Sequence, residues 1–327
     1  MTPPVAQLNP ALSLVGIAKQ TAKGSAATTP TFGHGVYDGT LANPERSVVV
    51  DPVTSAYAAA TSAYLDSILG AASYSNPAYF GVIGMYLLAA LGADVVVGTG
   101  TFTHTLTLGR PLPYFTLWNS FSGVVQSVQD CKLDQMEISW KNNDPLKFAP
   151  QWKGGAPLLT GAFSPTTSES GDNRFTPVGG TFQLDVVGST LAAVPMTAGS
   201  IKINNNVDQI VASGALTPND VCEDLHELEI SIDCLVSDLG MWKEALTGTP
   251  SGTTPATVLA YGGFSVQFVN GTNSLTLACT NCPFVVAFPA VDAKNASRMV
   301  TLTATPTIAS GGSTVMTATL VNSVASY

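Results

Sequence analysis

Leu133-Asp-Gln-Met-Glu-Ile-Ser-Trp140 and Leu225-His-Glu-Leu-Glu-Ile-Ser231 are two copies of one pattern, and their period decides the fold class. Successive side chains of a strand point to opposite faces. On that period Met136, Ile138 and Trp140 share one face, as do Leu228, Ile230 and Ile232 after the second copy begins, and this is the expected core face. Gln135, Glu137 and Ser139, with Glu227, Glu229, Ser231 and Asp233, share the other, which is expected to be wet and acidic. A Trp-Lys pair follows each copy, at Trp140-Lys141 and Trp242-Lys243. A repeated strand with one apolar face points to a protein built mainly of β-sheet.

Outward from the repeat, residues 101–108, 114–118 and 123–128 show the alternation and the β-branched or aromatic content of further strands, and the second half continues in this manner. Val48-Val49-Val50 reads as a short buried run before Pro52, within a strand-and-loop region over 36–50. Two stretches break the β pattern. Val53, Ala56, Tyr57, Ala60, Tyr64, Leu65, Ile68 and Leu69 recur at helical spacing ahead of Gly70, and residues 77–91 form a second helical stretch closing on Gly92. The apolar run from Tyr79 to Gly98 is interrupted by Asp94 and four glycines, and falls short of the ~20 residues a membrane-spanning helix needs. A buried helix followed by a strand is expected there.

Residues 1–15 carry Pro3, Pro4 and Pro10 with no sustained period, and read as an N-terminal arm. The body, 16–327, divides into two β-rich halves at about 16–150 and 181–327, joined by a long loop at 151–180. The Pro- and Gly-rich stretches over 150–180 and 248–263 are expected to be loops or arms.

Hydrophobic residues make up 45% of the chain and charged residues only 11%, so much of the surface is neutral, which suits extensive contact between subunits. The net charge of −9 repels phosphates and argues against direct nucleic-acid binding. Met1-Thr2-Pro3-Pro4 opens no secretory leader, so synthesis and assembly in a cytoplasm are expected.

Catalytic motifs are absent. Gly98, Gly100 and Gly109 lack the spacing of a phosphate-cradling loop, and His34, His104 and His226 stand far apart. His104, in a Thr-rich strand, is expected to be a hydrogen-bonded structural residue. Cys279-Thr-Asn-Cys282 has the spacing of zinc and redox sites, but Cys222 and Cys234 are too widely separated to complete a zinc knuckle, so reduced, partly buried thiols are expected. Glu137, Glu227, Glu229 and Asp233 could serve glycoside hydrolysis if they met across a cleft, yet aromatic residues, 8% of the chain, do not cluster near them. Neither a catalytic residue, a metal nor a cofactor is expected.

Gly16-Ile-Ala-Lys-Gln-Thr-Ala-Lys-Gly24, followed by Thr29-Pro30, resembles the opening of tail tube proteins of long-tailed, non-contractile bacteriophages. Phe102-Thr-His-Thr-Leu-Thr-Leu108, Tyr114-Phe-Thr-Leu-Trp118, Val300-Thr-Leu-Thr-Ala-Thr305 and Met316-Thr-Ala-Thr-Leu-Val-Asn322 resemble later strands of that family, in order along the chain. Gln20 stands where an acidic residue is common. The resemblance implies a β-sandwich or barrel with a flanking helix, assembled into hexameric rings that stack into a tube within the virion tail. The tape measure protein and viral DNA would occupy its lumen, and tail terminator and baseplate proteins its ends. On that reading Glu137, Glu227, Glu229 and Asp233 would face the lumen, while Pro3, Pro4, Val5, Leu8 and Leu12 would belong to an inter-ring arm, with the 40–52 and 155–180 regions as further ring-to-ring contacts. The alternative is a decoration or adhesin module of immunoglobulin-like type, for which Val300–Thr305 and Thr314–Val321, hinged at Gly311-Gly312, would form a strand pair.

Overall fold

The computed structural model describes residues 13–51, 62–121, 124–155, 157–158, 163–169, 173–188, 190–235, 240–249, 251–286 and 299–327. Among these residues the chain is mainly β: a thirteen-stranded sheet faces a seven-stranded one, with a separate two-stranded ribbon of Asp208–Ile210 and Asp220–Cys222. The larger sheet runs Thr167–Glu169, Phe32–Gly35, Ser13–Lys19, Phe115–Phe121, Val124–Lys141, Met196–Asn204, Glu227–Leu235, Met299–Ala304, Phe284–Val286. It branches at Val124–Lys141, where Lys147–Gly154 and then the hairpin Asp38–Asp51/Ser62–Pro77 join. The smaller sheet runs Ala192–Ala193, Thr181–Asp185, Gly262–Asn270, Asn273–Cys282, Thr317–Asn322, Thr101–Leu108, Gly92–Thr99. Strands from both halves of the chain therefore share each sheet.

The helix Ile83–Leu91 touches Val124–Lys141 of one sheet and Thr101–Leu108 and Gly92–Thr99 of the other. All nine of its residues are buried, as a segment that is apolar on every side requires. Gly92 ends it in the left-handed region, φ 97°, where its N–H reaches the Leu88 carbonyl, and the chain passes straight into a strand. Among the described residues no helix is long and apolar enough to cross a membrane.

The repeated strands take the positions their pattern requires. Both pair antiparallel with Met196–Asn204, one on each side, so that Ile138, Ile201 and Ile230 stand in one cross-strand row. Met136, Ile138, Trp140, Leu228, Ile230 and Ile232 are all buried, each contributing roughly 1.5–3 kcal/mol by leaving water. Gly199 lies between them where any Cβ would strike the Trp140 indole. The copies diverge afterwards: Trp140 stays in its strand, whereas Trp242-Lys243 falls in the short helix Gly240–Thr247.

Several expectations are corrected. Residues 62–70 are not helical; Ser62–Pro77 is a strand, because Asp38–Asp51 supplies a long antiparallel partner that helical spacing cannot outbid. Gly70 sits inside that strand opposite Pro44, and residues 52–61 of the expected helix lie outside the described residues. The second helix begins at Ile83 rather than at 77, since Pro77 closes the preceding strand. Val48, Val49 and Val50 are exposed, not buried, because they lie towards the far end of the hairpin. Residues 150–154 are strand rather than loop, with Pro150 buried opposite Met136. Residues 123–128 and 133–140 are not separate strands: Val124–Lys141 runs through, bent at Asp130, φ 54°. Ser13 and Leu14 pair with Phe121 and Ser120, so the first strand begins inside the stretch read as an arm. Met299–Ala304 and Thr317–Asn322 belong to different sheets and form no immunoglobulin-like pair.

Candidate functional site

Opposite the core, the larger sheet presents its wet face in cross-strand rows. Gln135, Asn204 and Glu227 form one row; Glu137, Lys202 and Glu229 the next; Ser139, Ser200, Ser231 and Thr303 a third; and Lys141, Ala198, Asp233 and Thr301 a fourth. All four candidate acids are thus brought to one face: Glu137, Glu227 and Glu229 are exposed and Asp233 is half-buried. Their neighbours hold two of them. Thr301 Oγ1 donates to Asp233 Oδ1 at 2.7 Å, and the amides of Asn204 and Asn206 each approach Glu227 Oε2 at 3.4 Å.

The face is mixed in charge rather than acidic. Lys202 stands between Glu137 and Glu229, Lys141 lies in the Asp233 row, and Lys147 lies opposite Ser139. The strand Met196–Asn204 resembles neither repeat copy and inserts between them, which is why the repeat alone could not reveal Lys202. An open groove of about 650 Å³ runs over Glu137, Lys202 and Glu229, walled by Leu259, Pro283 and Val285.

A buried polar hub pins the starts of the repeated strands. Asn205 Nδ2 donates to the carbonyls of Leu133, 3.1 Å, and Ala90, 3.2 Å, while its Oδ1 accepts from His226 Nδ1 at 2.9 Å and Arg110 Nη2 at 3.2 Å. Beside it Lys132, itself buried, pairs with Glu223, which also accepts from the Leu112 N–H at 2.7 Å. Burial works to raise the Glu223 carboxyl, but the bonds from Lys132 and Leu112 outweigh it and hold the group below its usual range. His226 is pushed down to about 4 by burial and by the nearby Arg110 charge, so it is neutral at pH 7. The hub is structural.

His104 is likewise tied into the fold, with Nδ1 2.8 Å from Asp94 Oδ2 and Nε2 2.8 Å from the Val324 carbonyl, under the Tyr327 ring at 4.7 Å. All five cysteines are unpaired; Cys131, Cys234, Cys279 and Cys282 are buried and Cys222 half-buried. Burial pushes the Cys234 thiol up to about 12, which keeps it from acting as a nucleophile. Among the described residues no three His, Cys, Asp or Glu side chains gather as metal ligands.

Among the described residues, two β-strand surfaces carry clusters of exposed apolar side chains. One is the hairpin Asp38–Asp51/Ser62–Pro77, on which Val48 is 59% and Val50 57% exposed, beside an exposed Tyr64. The other is the strand Gly92–Thr99, whose outer edge has no partner among the described residues and on which Val95 is 61% and Val97 68% exposed. The proposed arm residues Pro3, Pro4, Val5, Leu8 and Leu12 lie outside the described residues.

No curated protein matches the chain. A family model described as phage tail tube protein matches residues 10–324, nearly the whole chain, including both sheets, the repeated strands and the enclosed helix. The chain belongs to the phage tail tube protein family, and is a structural component of the virion tail.

Proposed function

We propose that this chain is the repeating subunit of the tube of a long, non-contractile phage tail, with six copies closing into a ring and rings stacking around a channel for viral DNA and the tape measure protein. Tail terminator and baseplate proteins would cap the ends. The observation that carries this reading is the uncovered apolar surface on the hairpin and on the edge strand Gly92–Thr99, which in a solitary protein would invite aggregation and in a ring is completed by the next copy. Electron microscopy of the purified protein tests it: rings or tubes are expected, and a persistently monomeric protein at high concentration would sink the assembly.

In this reading the wet face of the larger sheet lines the channel. Glu137, Glu227, Glu229 and Asp233, nearly balanced by Lys202, Lys141 and Lys147, alternate with a flat row of serine and threonine hydroxyls, giving a passing phosphate chain little to hold. Replacing the four acids with lysine removes four negative charges and adds four positive ones, a shift of +8 in net charge per subunit. Tubes are expected to form but genome release to slow; ejection kinetics matching wild type would remove these residues from the channel.

Ring-to-ring contact falls to the N-terminal arm and to the hairpin, whose strands of 14 and 16 residues project beyond the support of neighbouring strands. Deleting residues 1–12 should leave rings or monomers that fail to stack, scored by tube length in micrographs. Tubes of ordinary length from that deletion would remove the arm from stacking.

A further inference from the structure

We infer that Cys279 and Cys282 form a redox site, a dithiol that a peroxide closes to a disulfide, clasping the place where the chain crosses between its two sheets. The inference does not depend on how subunits assemble.

On a regular strand, side chains three residues apart point to opposite faces. These two do not. Cys282 pairs with Gly262 and Cys279 with Phe264, so three steps along one strand oppose two along the other, and the extra residue makes a β-bulge. Glycine at 263 lets the strands close over it, since a Cβ there would stand 3.0 Å from the Cys279 carbonyl oxygen. The bulge turns both thiols inward: Cys279 is 2% and Cys282 0% exposed, and the two side chains are in hydrogen-bonding contact. Closing them to the ~2.05 Å of a disulfide is a local adjustment of a segment that is already kinked. Among the described residues no third His, Cys, Asp or Glu joins the pair to make a metal site.

The location gives that bond a consequence. Cys282 ends Asn273–Cys282 of the smaller sheet, and after Pro283 the chain enters Phe284–Val286 of the larger one. The return crossing, from Met299–Ala304 to Thr317–Asn322, is tied to the same turn. Asn281 Nδ2 donates to the Thr307 carbonyl at 3.2 Å and to Thr307 Oγ1 at 2.6 Å, and the Thr307 N–H donates to the Asn281 carbonyl at 3.1 Å. Residues 279–282 therefore hold two crossings at once.

The chemistry takes two steps, with hydrogen peroxide as the oxidant. Cys282 sulfur attacks one peroxide oxygen and the O–O bond breaks; the sulfur becomes a sulfenic acid, and the departing hydroxide takes the thiol proton to form water. Cys279 sulfur then attacks that sulfur, the S–S bond forms, and the sulfenic hydroxyl leaves with the Cys279 proton as a second water. The two sulfurs lose two electrons and the peroxide gains them. Burial and the adjacent Cys282 hold the Cys279 thiol well above its ordinary range, so it is the partner that stays protonated until the second step. Thr280, between the two, is exposed, which leaves only this turn between the sulfurs and a small oxidant. The dithiol thus persists in a reducing cytoplasm and closes in an oxidising medium.

Peptide mapping of the purified wild-type chain tests this, before and after hydrogen peroxide, with free thiols blocked by N-ethylmaleimide in denaturant. After oxidation the peptide holding Cys279 and Cys282 should lose both labels and two hydrogens, while Cys131 and Cys234 keep their labels. The oxidised chain should unfold about 3 °C above the reduced one, the size expected of a short closed loop in a chain of this length, and dithiothreitol should reverse the shift. Cys279→Ser and Cys282→Ser should each abolish this difference between oxidised and reduced samples, a comparison made within each variant and so independent of its own stability. Both labels retained in wild type, or sulfinic acid at either position in place of a disulfide, overturns the site. A disulfide that leaves the unfolding temperature unchanged overturns the clasp.

Discussion

Tyr86→Ala should cost the unassembled subunit about 3–5 kcal/mol, the range for truncating a large buried aromatic ring. Tyr86 comes from the enclosed helix and is fully buried, with its ring 4.5 Å from Phe148 and 6.0 Å from Trp152. Its hydroxyl donates to His34 Nε2 at 2.6 Å and accepts from Tyr74 at 3.0 Å. The direction follows from His34 Nδ1, which donates to the Gly35 carbonyl at 2.9 Å and leaves Nε2 as the acceptor. Deleting the ring therefore opens a cavity and strands two buried polar groups at once. Since natural domains are stable by roughly 5–15 kcal/mol, the variant should be recovered largely insoluble or already part-unfolded in the absence of denaturant. Tyr86→Phe, which keeps the ring and loses only the hydroxyl, should cost about 1–3 kcal/mol in a urea titration. Equal losses in the two variants would show that packing around the ring contributes nothing.

Acid should weaken the same centre. Burial lowers His34 to about 4 from an ordinary value of 6.5. Between those values the unfolded chain takes up a proton that the folded chain refuses, so the His34 contribution is complete above pH 6.5 and is lost as pH falls towards 4. The loss amounts to about 3 kcal/mol by pH 4. His34→Gln should remove most of this part of the pH dependence while lowering stability at pH 7.5, and the gap between the two proteins should narrow steadily on acidification. His226, also lowered to about 4, will keep some acid sensitivity in the variant. Parallel stability curves for wild type and His34→Gln from pH 7.5 to 4 would show that His34 titrates as freely in the fold as in water.

What the sequence made legible was local. The alternation in Thr101–Leu108 marks that strand to the residue, and Gly92 announces the end of its helix because only a residue at ease with positive φ can turn the chain there. What stayed hidden depended on partners far along the chain. Tyr64, Leu65, Ile68 and Leu69 satisfy helical spacing, and nothing within residues 62–77 reveals that Asp38–Asp51 will claim them as a strand. Val48-Val49-Val50 is apolar enough for a core, and composition cannot separate a core from an exposed apolar surface. The charge balance of the wet face was invisible for a related reason: Lys202 stands between Glu137 and Glu229 only because an unrelated strand is threaded between two similar ones.

The order of the seven-stranded sheet also sets a timetable. Gly92–Thr99 and Thr101–Leu108 are made early, but together they are only a hairpin, and two strands alone are marginal in water. The strand that joins them to the rest of their sheet, Thr317–Asn322, is translated after nearly everything else. A nascent chain therefore cannot present a finished seven-stranded sheet while it is still being made, and the slow, long-range step that completes the sheet comes only once synthesis is nearly over.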